Sequence, residues 1–136
     1  MRLYLISGWL LVAIGVLHNS IGVVMGWPIL AAIVAEGGWN TIEPGGHMHF
    51  DRSAILWFLV TGCFWMLLGY LMQSWLRVVR APLPKVIGWG LFSAGVVVAF
   101  LLPVSGAWLF IALGLMVALG APEPAVIEAQ TCESPA

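Results

Sequence analysis

Charge is what this sequence has least of. Asp, Glu, Lys and Arg make up 8% of its residues, against about 25% in a soluble domain. A chain of 136 residues has much surface for its volume, and so few charges cannot cover it with groups that water solvates. Lipid is the solvent that fits. Net charge is −1, which excludes the basic footprint of a nucleic-acid-binding protein. Cysteine is scarce too: Cys63 and Cys132 are the two, and they form no C-x-x-C pair. Thiol–disulfide chemistry and zinc-finger ligation therefore have no support. No phosphate loop, nucleotide fingerprint or nucleophile motif occurs. The length leaves no room for a second domain of any size.

What is present is apolar: 62% of the residues, with a mean hydropathy of +1.04. A spanning helix needs about 20 mostly apolar residues. Runs at about 3–25, 53–72, 86–102 and 107–121 meet or approach that length. The fold class they predict is all-α, an integral membrane four-helix bundle occupying residues 1–121. Arg2 and the run Leu3–Leu17 imitate a signal peptide, but no small-x-small cleavage site follows. The run reads as a retained helix. Between helices one and two, Pro28 to Glu36 reads as a short interfacial helix. Proline suits its first turn, Gly37-Gly38 ends it, and Trp27 and Trp39 flank it as interfacial residues do. From Pro122 onward, three glutamates and three prolines predict a disordered tail over 122–136.

Four of the five basic residues, Arg2, Arg77, Arg80 and Lys85, fall on one side when four spans are drawn. The positive-inside rule makes that side cytoplasmic. The expected location is then the inner (plasma) membrane, multi-pass, with both termini cytoplasmic and Gly26–Arg52 facing outward.

Helices one to three carry glycines seven residues apart: Gly8, Gly15 and Gly22; Gly62 and Gly69; Gly88 and Gly95. That spacing puts them on one face of each helix, where small residues let membrane helices approach closely. His18 shares the glycine face of helix one. His47 and His49 precede helix two on the same outer side, with Glu36, Asn40, Glu43, Asp51 and Arg52 in the same region.

Three readings of this outer cluster stand open. A structural network would hydrogen-bond His18 to a carbonyl or to Asn40 and pair Arg52 with Glu36 or Glu43, since buried polar groups need partners. A metal site, or haem, would use His18, His47 and His49, because histidine is the commonest metal ligand and H-x-H in an extended segment points both rings one way. An enzyme acting on a lipid-soluble substrate would shuttle a proton between His18 and Glu36, Glu43 or Asp51. Most of the eight tryptophans suit an aromatic belt. Trp57 and Phe58, one turn inside helix two, are the candidates for lining a pocket.

The pattern Gly8-Trp-Leu-Leu-Val-Ala-Ile-Gly15-Val-Leu-His18, followed by Gly37 or Gly38, Asn40, Asp51-Arg52 and Ala54-Ile-Leu-Trp57-Phe58-Leu-Val-x-Gly62, resembles a family of small bacterial four-helix membrane proteins of unknown function. That family is in turn distantly like the DoxX-type membrane proteins. The resemblance covers the first half of the chain strongly and the rest as apolar pattern. It implies His18, Asn40 and Arg52 as marked polar positions and supplies no activity.

The expectation is a non-enzymatic protein in the lipid bilayer. It would bind a small hydrophobic or lipid-like ligand or a membrane protein partner through an outer pocket of His18, Asn40, Arg52, Trp57, Phe58 and Glu36, and homo-oligomerisation is a further expectation. The alternative is metal or haem at the three histidines.

Overall fold

The computed structural model describes residues 3–120; the tail expected over 122–136 lies outside them. A single turn of 3-10 helix, Tyr4–Ile6, leads into α1 (Ser7–Ala35). A loop containing the turn Pro44–Gly46 leads to α2 (Phe50–Ser74), which ends in a wider π-helical turn, Trp75–Val79. Then come α3 (Lys85–Leu101) and α4 (Trp108–Gly120). The described residues are all-helical, with no strand. Two stretches, Tyr4–Ala35 and Phe50–Val79, are long and apolar enough to cross a membrane, each holding an 18-residue window of mean hydropathy 1.7 and 1.9 respectively. The helices Lys85–Leu101 and Trp108–Gly120 are shorter and apolar.

The helices pack as two antiparallel hairpins, α1 on α2 and α3 on α4. Glycine makes both contacts. A Cβ on Gly69 would come within 2.6 Å of the Gly8 carbonyl oxygen and 2.8 Å of the Val12 nitrogen. A Cβ on Gly114 would come within 2.7 Å of the Gly88 carbonyl oxygen. Backbone therefore touches backbone, which side chains larger than hydrogen would forbid. The seven-residue spacing read from the sequence is this seam.

Between the hairpins, side chains take over. Tyr4, Leu11, Met72, Leu83, Leu91, Phe110, Leu113 and Val117 form the buried core, with α4 meeting α1 and the Tyr4–Ile6 turn. This core lies toward the Tyr4 end. The α1–α2 hairpin is much the longer of the two. At 1.5 Å per residue, α1 runs about 43 Å and α4 about 20 Å. The last turns of α1, from Gly26 to Ala35, and the start of α2 thus stand beyond α3 and α4.

One boundary differs from expectation. Residues 28–35 are not a separate interfacial helix but the continuation of α1, with Pro28 inside it. Proline removes the hydrogen bond to the Val24 carbonyl and crowds it. Tertiary contacts hold the far segment in line: Ile55 of α2 sits against Gly26, and Glu36 is clasped by Arg52. The predicted stop at Gly37-Gly38 is where the helix ends. Gly38 N–H reaches the Ile33 carbonyl at 2.9 Å and Gly37 N–H the Val34 carbonyl at 3.0 Å. This is a Schellman closure with Gly37 at φ 87.

Candidate ligand site at His18

Among the described residues, His18 is the one Asp, Glu, His, Lys or Arg side chain placed between the two ends of the bundle. On α1 it falls between two stripes: Gly8, Gly15 and Gly22, which face α2, and Leu10, Ile14 and Leu17, which face α4. That follows from a helical period of 3.6. Its ring lies flat on Phe58, centroids 3.7 Å apart and planes 15° apart, and tilted on Trp65 at 4.4 Å. Trp65 in turn meets Phe110 of α4 edge-on at 4.4 Å. A ladder of rings thus joins α1, α2 and α4.

The imidazole Nε2 lies 3.1 Å from the Phe58 carbonyl oxygen. A carbonyl only accepts, so Nε2 carries the proton and donates. In the neutral ring Nδ1 is then left as an acceptor. Asn19, the next residue, also meets α2 at Gly62. Its amide donates to the Cys63 sulfur at 3.5 Å, and its Oδ1 is buried against Gly62 without a hydrogen-bond partner. Below His18, α1 and α4 are separated by an apolar groove of about 330 Å³, lined by Leu10, Ala13, Ile14, Leu17, Leu109, Ala112, Leu113 and Met116. That volume lies in the range of small-molecule sites.

The other expected site residues lie elsewhere. Arg52 makes a two-pronged ion pair with Glu36, 2.6 Å on each arm, and donates to the Thr41 carbonyl at 2.8 Å. Hydrogen bonding from Arg52 holds the Glu36 carboxyl below its usual pKa. Asn40 is exposed, and its contribution is backbone: φ is 53 in the turn after α1, a conformation asparagine tolerates. Trp57 is exposed on the outside of α2. So the structure brings His18 to Phe58, and Glu36 to Arg52, but does not join the two groups into one pocket. His47 and His49 are exposed before α2, while His18 sits at the level of Phe58, roughly 13 Å farther along the helix at 1.5 Å per residue. No group of three His, Cys, Asp or Glu residues close enough to hold a metal occurs among the described residues. The expected His18, His47 and His49 set is not assembled.

A family model described as "Family of unknown function (DUF6463)" matches residues 2–123. The chain belongs to the DUF6463 family. No curated protein and no solved structure matches it.

Sequence reasoning passed over three residues of this DUF6463 chain that the fold uses. Gln73 is buried; its Nε2 donates to the Leu5 carbonyl at 3.0 Å and its Oε1 accepts from Trp9 N–H at 3.3 Å. The buried Tyr4 hydroxyl accepts from Leu83 N–H at 2.7 Å. Thr41 supplies the carbonyl that steadies Arg52. For Gln73 a signal existed: it stands four residues after Gly69, on the glycine face of α2.

Proposed function

We propose that this DUF6463 protein crosses the inner membrane four times, with both termini cytoplasmic. In that setting it binds a lipid-like ligand without catalysing a reaction. The ligand's chain lies in the groove between α1 and α4, and its polar head meets His18 at the top of the groove. Exposed apolar surface supports the membrane setting: 22% of each long spanning window is buried inside the bundle, too little for the core helix of a soluble protein. A distant kinship with the DoxX-type proteins belongs to the same reading, and the sequence pattern over Gly8–His18 and Asp51–Gly62 supports it.

The observation that carries the ligand reading is the position of His18. A polar ring in an apolar helix is costly in lipid and normally faces the interior. Here one nitrogen is engaged by Phe58 and the other remains an acceptor. The groove beside it is lined by carbon. An apolar slot whose lining residue Leu17 adjoins a histidine with an open acceptor suits an amphiphile whose head donates a hydrogen bond, such as a long-chain alcohol.

The test is lipid bound by purified protein, read by native mass spectrometry. His18→Leu should abolish retention of the hydroxyl-headed lipid, and Ala112→Trp, at an exposed position lining the groove, should do the same. Equal retention by the parent and both variants would overturn the reading.

A further inference from the structure

We infer that the loop joining α2 to α3 is a binding site for the phosphate of an anionic glycerophospholipid, held by Arg77, Arg80 and Lys85. The inference rests on the chain spanning the bilayer and is independent of the ligand at His18. The three cations are exposed. Every acidic side chain among the described residues, Glu36, Glu43 and Asp51, lies at the opposite end of the bundle.

The loop that carries these charges is held at several points. Leu83 is buried in the core, and its N–H is taken by the Tyr4 hydroxyl at 2.7 Å. Trp75 donates its indole N–H to the Pro82 carbonyl at 3.3 Å. The Arg77 guanidinium lies 5.6 Å from the centre of the Trp9 ring, a cation–π distance.

Arg80 gives the most pointed observation. Its φ is 55, in the left-handed region. Of the six described residues with positive φ, four are glycines and the fifth is Asn40. Those are the residue types this conformation suits. Arginine is not, so its backbone is disfavoured where glycine would be at ease. Phosphate binding by the side chain would account for an arginine there.

The surroundings favour a lipid over an acidic protein. Val78 and Val86, beside the cations, are 81% and 74% exposed, and Trp9 and Trp75 are partly exposed as well. Carbon next to cations on one ledge matches the boundary between acyl chains and phosphates, where Trp and basic residues gather. A soluble acidic segment would leave those valines in water.

The experiment uses the full chain in nanodiscs of phosphatidylcholine with a minor share of phosphatidylglycerol. Lipids retained after mild delipidation are counted by native mass spectrometry. Phosphatidylglycerol should be enriched over its bulk share. Arg80→Gly and Lys85→Gln should each lower the enrichment by roughly five-fold. Arg80→Gly should do so with thermal stability kept or raised, because it relieves the backbone. His18→Leu should leave the enrichment unchanged, which separates this site from the ligand groove. Retention of phosphatidylglycerol at no more than its bulk share overturns the inference, as does enrichment that survives in the Arg80→Gly/Lys85→Gln double variant. Enrichment that appears only after residues 121–136 are removed would also overturn it, making the acidic tail the occupant.

Discussion

At Gly69 a single methyl group has nowhere to go. Its neighbours are the Gly8 carbonyl and the Val12 nitrogen, both backbone atoms, so no rotamer change makes room. Gly69→Ala should lower stability by about 1–3 kcal/mol, the usual cost of overpacking. At Gly90 on α3 a methyl group would find open space, with no other atom within 4 Å. Gly90→Ala should therefore be neutral or stabilising by up to about 1 kcal/mol, from helix propensity alone. Unfolding in mixed detergent micelles compares the two. Gln73→Leu removes both hydrogen bonds at the start of α1, and leaving the part-buried Leu5 carbonyl and Trp9 N–H unpaired should cost about 1 kcal/mol. The Glu36–Arg52 pair carries a pH dependence of definite sign. Because the carboxyl is held below its usual pKa, the pair's contribution is fully present above the ordinary glutamate range and is lost as pH falls through the lowered value. Protection of the 36–52 amides, taken relative to the intrinsic exchange rate at each pH, should be flat from neutrality down to that range and then fall in acid. Glu36→Gln should remove the acid step; an acid step that persists in this variant would assign it elsewhere.

The elements were legible from apolar run length and glycine spacing, and α1 shows where such reading stops. A local rule makes Pro28 a helix start, and it is a sound rule for an isolated segment. Here Ile55 against Gly26 and the Arg52 clasp on Glu36 outweigh it, and neither contact is visible in the order of residues. If α1 is continuous, Pro28→Ala restores a partner to the Val24 carbonyl and should stabilise the protein by roughly 1–3 kcal/mol. A separate surface helix beginning at Pro28 would leave stability unchanged. The candidate site was half legible for a related reason. His18 stood out because polar groups in apolar helices are rare. Its grouping with Arg52 and Asn40 treated the outer side as one place, whereas the helical rise sets Phe58 roughly 9 Å beyond Arg52. Tyr4 and Gln73 escaped notice because each lies at the end of an apolar run, where polar residues look ordinary.

For the whole molecule, the charge distribution makes the sharpest prediction. A cysteine introduced at Gly45, in the exposed Pro44–Gly46 turn, should react with a membrane-impermeant thiol reagent in intact spheroplasts. One introduced at Arg80 should react only after lysis. Reaction of both, or of the cysteine at position 80 alone, in intact cells would overturn the proposed four-span topology. A further consequence lies in how the two hairpins are sealed. Within each, bare backbones abut and little solvent or lipid can intervene; between them the join is made of interleaved rings and leucines. Such a chain is suited to assembly in two instalments, each helical pair closing first and the halves docking afterwards. The last step to form should then be the first to reverse under mild detergent, with α3 and α4 coming away as one piece.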